Sequence, residues 1–154
     1  MHCRSTEAWA SSRRPAPPST TATVTDLLDA FDHHAGALRS TEGCGAFAGN
    51  LLAATAQCRA ATAHLVDVAA NDPRTLLSAS SPYLRLLGTT VCAGFLAKAA
   101  AAAGTRQDDF HQAKLASARF FGEQILPTVS GLLPAIMASG AALYELSPDQ
   151  LASR

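Results

Sequence analysis

Aromatic residues are scarce in this 154-residue chain: six phenylalanines, two tyrosines and one tryptophan make up 6% of it. No run alternates β-branched and aromatic residues with polar ones, which argues against a β-sandwich or barrel. Charge is sparse at 16% and balanced, with 12 basic against 12 acidic residues. That removes the electrostatic footprint of a nucleic-acid binder or of a protein drawn to an anionic membrane. The four cysteines, Cys3, Cys44, Cys58 and Cys92, form no CxxC pair. Neither a disulfide framework nor a zinc site follows from them. Cys58 and Cys92 fall within helical patterns and read as small buried apolar residues. A reducing cytoplasm fits, and no stretch resembles a secretory h-region.

What the chain has in quantity is apolar residues, 48% of the total, many of them alanine. Alanine favours helix and lets helices approach closely, but each one buries little surface. The core must therefore rest on a modest set of Leu, Phe, Val and Ile. The length suits one domain. Residues 1–22, rich in Arg, Ser, Pro and Thr, lack periodicity and are broken by Pro15, Pro17 and Pro18. They read as a disordered leader.

Helical periodicity begins at Val24 and runs to Arg39, with Val24, Leu27, Leu28, Phe31, Ala35 and Leu38 as its apolar stripe. Asp26 and Asp29 in its first turns and Arg39 at its end suit the helix dipole. Gly43-Cys44-Gly45 breaks it. A second helix is predicted from about Ala46 to Ala70, burying Leu51, Leu52, Thr55, Cys58, Thr62, Leu65, Val66 and Ala69. Asn71-Asp72-Pro73 stops it. A linker follows over Thr75–Ser81.

The organising stretch is 82–127. Ser81-Pro82 reads as a serine cap with proline at the first helical position. Leu84, Leu87, Val91 and Phe95 recur on one face, alanines continue the helix to Ala103, and Gly104 stops it. Arg85 and Lys98 within this run favour a buried helix over a membrane span. Thr105–Asp108 is a turn matching a capping box. The fourth helix carries Phe110, Ser117, Phe121 and Ile125 on one side and Gln112, Arg119 and Glu123 on the other, until Pro127 kinks or ends it. Apolar residues continue from Val129 to Leu143, interrupted by Gly131, Pro134 and Gly140. Ser147–Gln150 forms another capping box. The fold class predicted is all-α: an antiparallel bundle of four main helices over 23–146 with a frayed tail at 147–154.

Chemistry-bearing constellations are weak. Gly43, Gly45 and Gly49 give GxGxxxG with no preceding strand, so a helix–helix turn is preferred over a phosphate loop. His33 and His34 are neighbours and point to different sides of a helix, while His64 and His111 stand alone as solvent-exposed or capping residues. Lys98, Lys114 and Arg119 could meet a phosphate or an acidic surface, but ordinary solvated cations explain them better. Gly88 and Gly94 with Ala97 suggest close helix packing. Of Phe120 and Phe121, one should enter the core and the other is left as an exposed anchor. No catalytic, cofactor-binding or metal-ligating residue is assigned.

Three segments carry a family resemblance: YLRLLG at Tyr83–Gly88, FLAKAAAAAG at Phe95–Gly104, and AKLASARFFGEQILP at Ala113–Pro127. Over roughly residues 24–146 the chain resembles the C-terminal extension of acyl-CoA dehydrogenases of the 3-methylmercaptopropionyl-CoA dehydrogenase type. The resemblance implies a non-catalytic accessory or oligomerisation domain, partnered by a dehydrogenase core or by itself. FAD belongs to the parent family, and no cofactor is expected in this chain. The family's glutamate base lies in an upstream domain, so Glu123 is read as a surface i,i+4 partner of Arg119. The long enzyme that precedes the extension in the family is not present, and a truncated or misread gene start would account for this. Candidate interface residues are Tyr83, Arg85, Lys98, Lys114, Arg119, Phe120 and Glu123. A free-standing helical interaction module and a small ligand-binding helical protein are the alternatives.

Overall fold

The structure, a computed structural model, describes residues 20–104, 106 and 108–152. Most of the predicted leader, residues 1–19, lies outside the described residues, as do Thr105 and Gln107 of the predicted turn. Four long helices carry the fold: α1 (Thr20–Leu38), α2 (Gly45–Ala69), α3 (Pro73–Ala103) and α4 (Asp109–Phe120). Shorter pieces follow, a π turn at Phe121–Ile125, a 3-10 turn at Leu126–Val129, α5 (Leu132–Met137), a second 3-10 turn at Ala141–Tyr144, and α6 (Pro148–Ala152). Among the described residues there is no strand, and the all-α bundle is as predicted.

α1 starts earlier than its periodicity suggests, so 20–22 belong to it rather than to the leader. Leu28, Phe31, Ala35 and Leu38 are buried as the stripe requires. Asp26 and Asp29 consequently sit beyond the first turn, where the dipole reaches them little. Asp29 and Asp32 instead pair with Arg59 of α2. Gly43 makes the turn into α2 with φ +75°, the left-handed region that favours glycine. On α2, Phe47, Leu51, Cys58 and Leu65 are buried, but Val66 and Ala69 at its end are exposed, contrary to the predicted stripe.

α3 does not begin at Ser81-Pro82. Asp72 caps it, accepting from the Thr75 N–H at 3.0 Å and the Thr75 hydroxyl at 2.6 Å, with Pro73 in the first turn. The Asp-Pro pair thus ends α2 and opens α3. Pro82 lies inside the helix, where its missing N–H removes one bond to the Ser78 carbonyl. The residues α3 buries are small: Ala79, Thr90, Ala93, Gly94, Ala97 and Ala100, with Leu86 the one large member. A Cβ at Gly94 would overlap the buried Phe31 ring, and one at Gly122 would overlap Phe47. Two large rings from α1 and α2 therefore sit on two glycines, and those positions admit nothing larger. Gly88 is different, with nothing within 4 Å of its Cβ position, so the expected close packing holds at Gly94 and the buried Ala97 but not at Gly88.

α4 is capped by Asp108, which accepts from the His111 N–H at 3.2 Å. Beyond Phe120 the helix widens into the π turn, and the Asn50 amide donates to the Gly122 carbonyl at 3.0 Å. Only Ala118 of α4 is buried. The predicted helix over Val129–Leu143 is divided, because Gly131 and the extended Ala138 interrupt it. Gly140 N–H donates to the Thr75 hydroxyl at 2.8 Å, tying the C-terminal segment to the start of α3. Ser147 and Gln150 form the reciprocal capping box predicted for the last turn.

Candidate functional site

The arrangement of α3 defines the surface. Its inner side packs against α1, α2, α4 and α5. Its outer side exposes Leu77 (64%), Leu84 (71%) and Phe95 (56%). Leu77, Leu84, Gly88, Val91, Phe95 and Ala102 follow one another at spacings of seven, four, three, four and seven residues. That is one stripe along a helix. The face predicted to be buried, Leu84 to Phe95, is thus the one turned outward at both ends, while Leu87 and Val91 are half-buried at its margin. α3 is long and apolar enough to cross a membrane by length and composition alone. Arg85 and Lys98 flank the stripe on opposite sides, both exposed, and α3 carries no acidic residue.

Near its N-terminal end the stripe borders a groove of about 650 Å³ between α1, α2 and α3, lined by Val24, Leu65, Val66, Leu76, Tyr83 and Leu84 among others. The lining is mostly apolar, and the Thr62 and Tyr83 hydroxyls in it bond each other. Thr62 donates to the Cys58 carbonyl at 2.7 Å, so its oxygen accepts from Tyr83 at 2.8 Å. No Lys or Arg lines this groove.

The other predicted interface residues are scattered. Lys114 is exposed on α4 with its ammonium 5.2 Å from the Phe110 ring. Arg119 and Glu123 form the expected i,i+4 pair at 3.8 Å. The Arg119 guanidinium also covers the Gly43 turn, 2.9 Å from where a Cβ would stand. The glycine cluster is accordingly a helix–helix turn, as preferred. Phe120 is exposed and Phe121 packs partly against the core, in line with the expected division. Tyr83, Arg85 and Lys98 belong to α3 and its groove. Lys114, Arg119, Phe120 and Glu123 belong to α4 and the π turn. The structure brings these two sets to different elements. Leu77, Leu84 and Val66 were missed as surface residues because apolar periodicity identifies a stripe without saying which way it points.

The polar groups serve the fold. Burial pushes the Cys58 thiol up from its ordinary value, partly offset by its contact with the Thr90 hydroxyl at 3.4 Å. Burial likewise raises Cys44. Cys92 is exposed, which corrects its reading as a buried residue. Burial, then Lys98 and His33, hold His34 below the usual imidazole value. The hydrogen bond to His111 lowers Asp108, and the Thr75 hydroxyl lowers Asp72. His111 is half-buried against the Asp108 cap, which accepts from its N–H and pairs with its Nδ1, so it is held by the cap rather than supplying it. His64 is half-buried and does not cap, with its Nε2 enclosed without a hydrogen-bond partner. Among the described residues no three His, Cys, Asp or Glu side chains are placed to hold a metal ion.

Comparison with known families matches residues 18–147 to the one described as "Acetyl-CoA dehydrogenase C-terminal like". No curated protein and no solved structure gives a significant match. The match spans α1 to the second 3-10 turn, so it covers the whole bundle and the α3 face together. The chain belongs to the family of acetyl-CoA dehydrogenase C-terminal-like domains.

Proposed function

We propose that this chain is a non-catalytic accessory domain that docks through the outer face of α3 onto other protein surfaces. We place it in the setting of a flavin-dependent acyl-CoA dehydrogenase of the 3-methylmercaptopropionyl-CoA type, in the cytoplasm. One observation carries the reading: α3 buries alanine, glycine and threonine and exposes Leu77, Leu84 and Phe95. Large apolar side chains grouped on one exposed face mark an interaction surface rather than scattered exposure. The free thiols of Cys44, Cys58 and Cys92 suit a reducing compartment.

The groove supports a docking role better than a catalytic or carrier one. A flavin dinucleotide carries an anionic pyrophosphate, and the groove lining has no Lys or Arg to meet it. In this reading catalysis and flavin belong to the partner. The test is co-expression with a flavin-dependent acyl-CoA dehydrogenase that lacks its own C-terminal extension. The two should co-elute on size exclusion, and Leu84→Glu, at the 71% exposed position of the stripe, should separate them without loss of helical circular dichroism. Separate elution of the wild-type chain, or bound flavin in the chain purified alone, would refute the reading.

A further inference from the structure

We propose that a second cavity, between the end of α3 and the start of α4, binds a small phosphate monoester. Arg106 and Lys114 hold the phosphate, and Phe110 and the alanines of α3 seat the organic part. The cavity has a volume of about 300 Å³. That is the small end of the range of roughly 300–1,000 Å³ for ligand sites. It lies at the opposite end of α3 from the apolar groove and shares no residue with it.

Arg106 is fixed from three sides. Its backbone N–H donates to the Ala103 carbonyl at 2.9 Å, and its carbonyl accepts from the Gln112 amide at 3.1 Å. Its guanidinium donates to His111 Nε2 at 3.3 Å. His111 accepts there because its Nδ1, 2.7 Å from both carboxylate oxygens of Asp108, donates its proton to them. Asp108 thus sets the tautomer of His111, and His111 positions the guanidinium. Lys114 follows Phe110 by four residues and shares its side of α4, with the ammonium 5.2 Å from the ring centroid. Lys98 and Arg119, the other two cations considered with Lys114 from the sequence, lie outside this cavity.

Charge selects the head group. The lining carries Arg106 and Lys114 and no carboxylate, and among the described residues neither cation forms an ion pair. The helix ends do not neutralise them, because the roughly half negative charge ending α3 is offset by the roughly half positive charge starting α4. A carboxylate answers one of the two cations. A phosphate monoester, with a charge of about −1.5 to −2 at pH 7, answers both. The planar guanidinium takes two of its oxygens and the ammonium takes the third as a point charge.

Apolar surface selects the body. Phe110 is 65% exposed and stands outside the core. Ala99, Ala102 and Ala103 line the cavity with it. Inorganic phosphate would leave this surface wet, whereas one ring-sized group beside the phosphate covers it.

The full chain tests this by titration with phenyl phosphate, followed by ¹H–¹⁵N NMR. Saturable shifts should centre on residues 99–114, with a dissociation constant of about 0.1–1 mM, as two exposed charge-assisted contacts allow. Arg106→Gln and Lys114→Ala should each weaken binding by about tenfold with helical circular dichroism unchanged. His111→Leu should weaken it as well. His111→Gln, whose side-chain carbonyl can still accept from Arg106, should restore part of the loss, which a merely structural role would not do. No saturation by about 10 mM, ten times the weakest expected constant, overturns the proposal. So does binding that survives both cation substitutions. Benzoate binding as tightly as phenyl phosphate overturns the choice of a dianion, and inorganic phosphate doing so overturns the seat for an organic body. A phosphotyrosyl peptide binding more tightly than phenyl phosphate overturns the small ligand in favour of a protein partner.

Discussion

Gly94→Ala should destabilise the fold, although alanine is the better helix former. The added methyl would lie inside the Phe31 ring, which is fully buried. That ring cannot swing aside freely, because Phe95 packs edge-on against it at 5.6 Å between centroids. Overpacking of this kind costs roughly 1–3 kcal/mol, while replacing a helical glycine with alanine returns about 1 kcal/mol. The steric term dominates and leaves a net loss of up to roughly 2 kcal/mol. Gly49→Ala is the control, since nothing lies within 4 Å of its Cβ position on α2. It should gain about 0.5–1 kcal/mol. Urea titrations followed by circular dichroism would move the two midpoints in opposite directions, by several tenths of a molar or more at a slope of about 2 kcal/mol/M. Adding Phe31→Leu to Gly94→Ala should recover stability beyond additivity, by about 1 kcal/mol or more. If Gly94→Ala matches or exceeds the wild type, the close seating of Phe31 on α3 is wrong.

Three further outcomes follow from the same packing. Cys92 should react with a thiol reagent in the native state, while Cys44 and Cys58 should react only on unfolding, as peptide mass spectrometry of the modified chain would report. Asp72 has its carboxyl held below the ordinary value by Thr75. The stability it lends is present above the unfolded aspartate pKa and is lost as pH falls through the folded value, so Asp72→Asn should flatten the acid limb of the melting temperature against pH. Thr75→Val should cost about 1–3 kcal/mol, because it strands the buried Gly140 N–H. Hydrogen exchange should then rise first near Ala138–Tyr144.

Much of the bundle was legible in the residues. The stripe of α1, the Gly43–Gly45 turn, the stop at Gly104 and the Ser147 capping box carry local chemistry that tertiary structure did not override. The start of α3 was not legible, because two signals compete. Asp72-Pro73 and Ser81-Pro82 each offer a cap and a first-turn proline, and the choice depends on Thr75. Its backbone and hydroxyl both bond Asp72, while its oxygen also accepts from Gly140, 65 residues away. The π turn was equally hidden, since Asn50 of α2 satisfies the Gly122 carbonyl from outside the helix. None of the candidate site residues named from charge or ring type marked the centre of the exposed stripe. Arg85 and Lys98 fall on its flanks, and Tyr83 lines the groove.

The direction of the α3 stripe follows from size matching, which a single helix cannot display. Phe31 and Phe47 enter the core from α1 and α2 and are fully buried there. A helix packed on Phe31 must answer it with little volume, and α3 does so with Gly94 and its alanines. Its own Leu77, Leu84 and Phe95 are then too many and too large to follow them inward. Two apolar faces of the same period coexist on α3, and hydrophobicity alone picks the wrong one as core because leucine outweighs alanine. Had the large residues been turned inward, Phe31 would have no seat on α3. The exposed face is therefore fixed by the same steric requirement that builds the core. A variant that relieves that requirement, such as Phe31→Ala, should loosen the core and the orientation of α3 together.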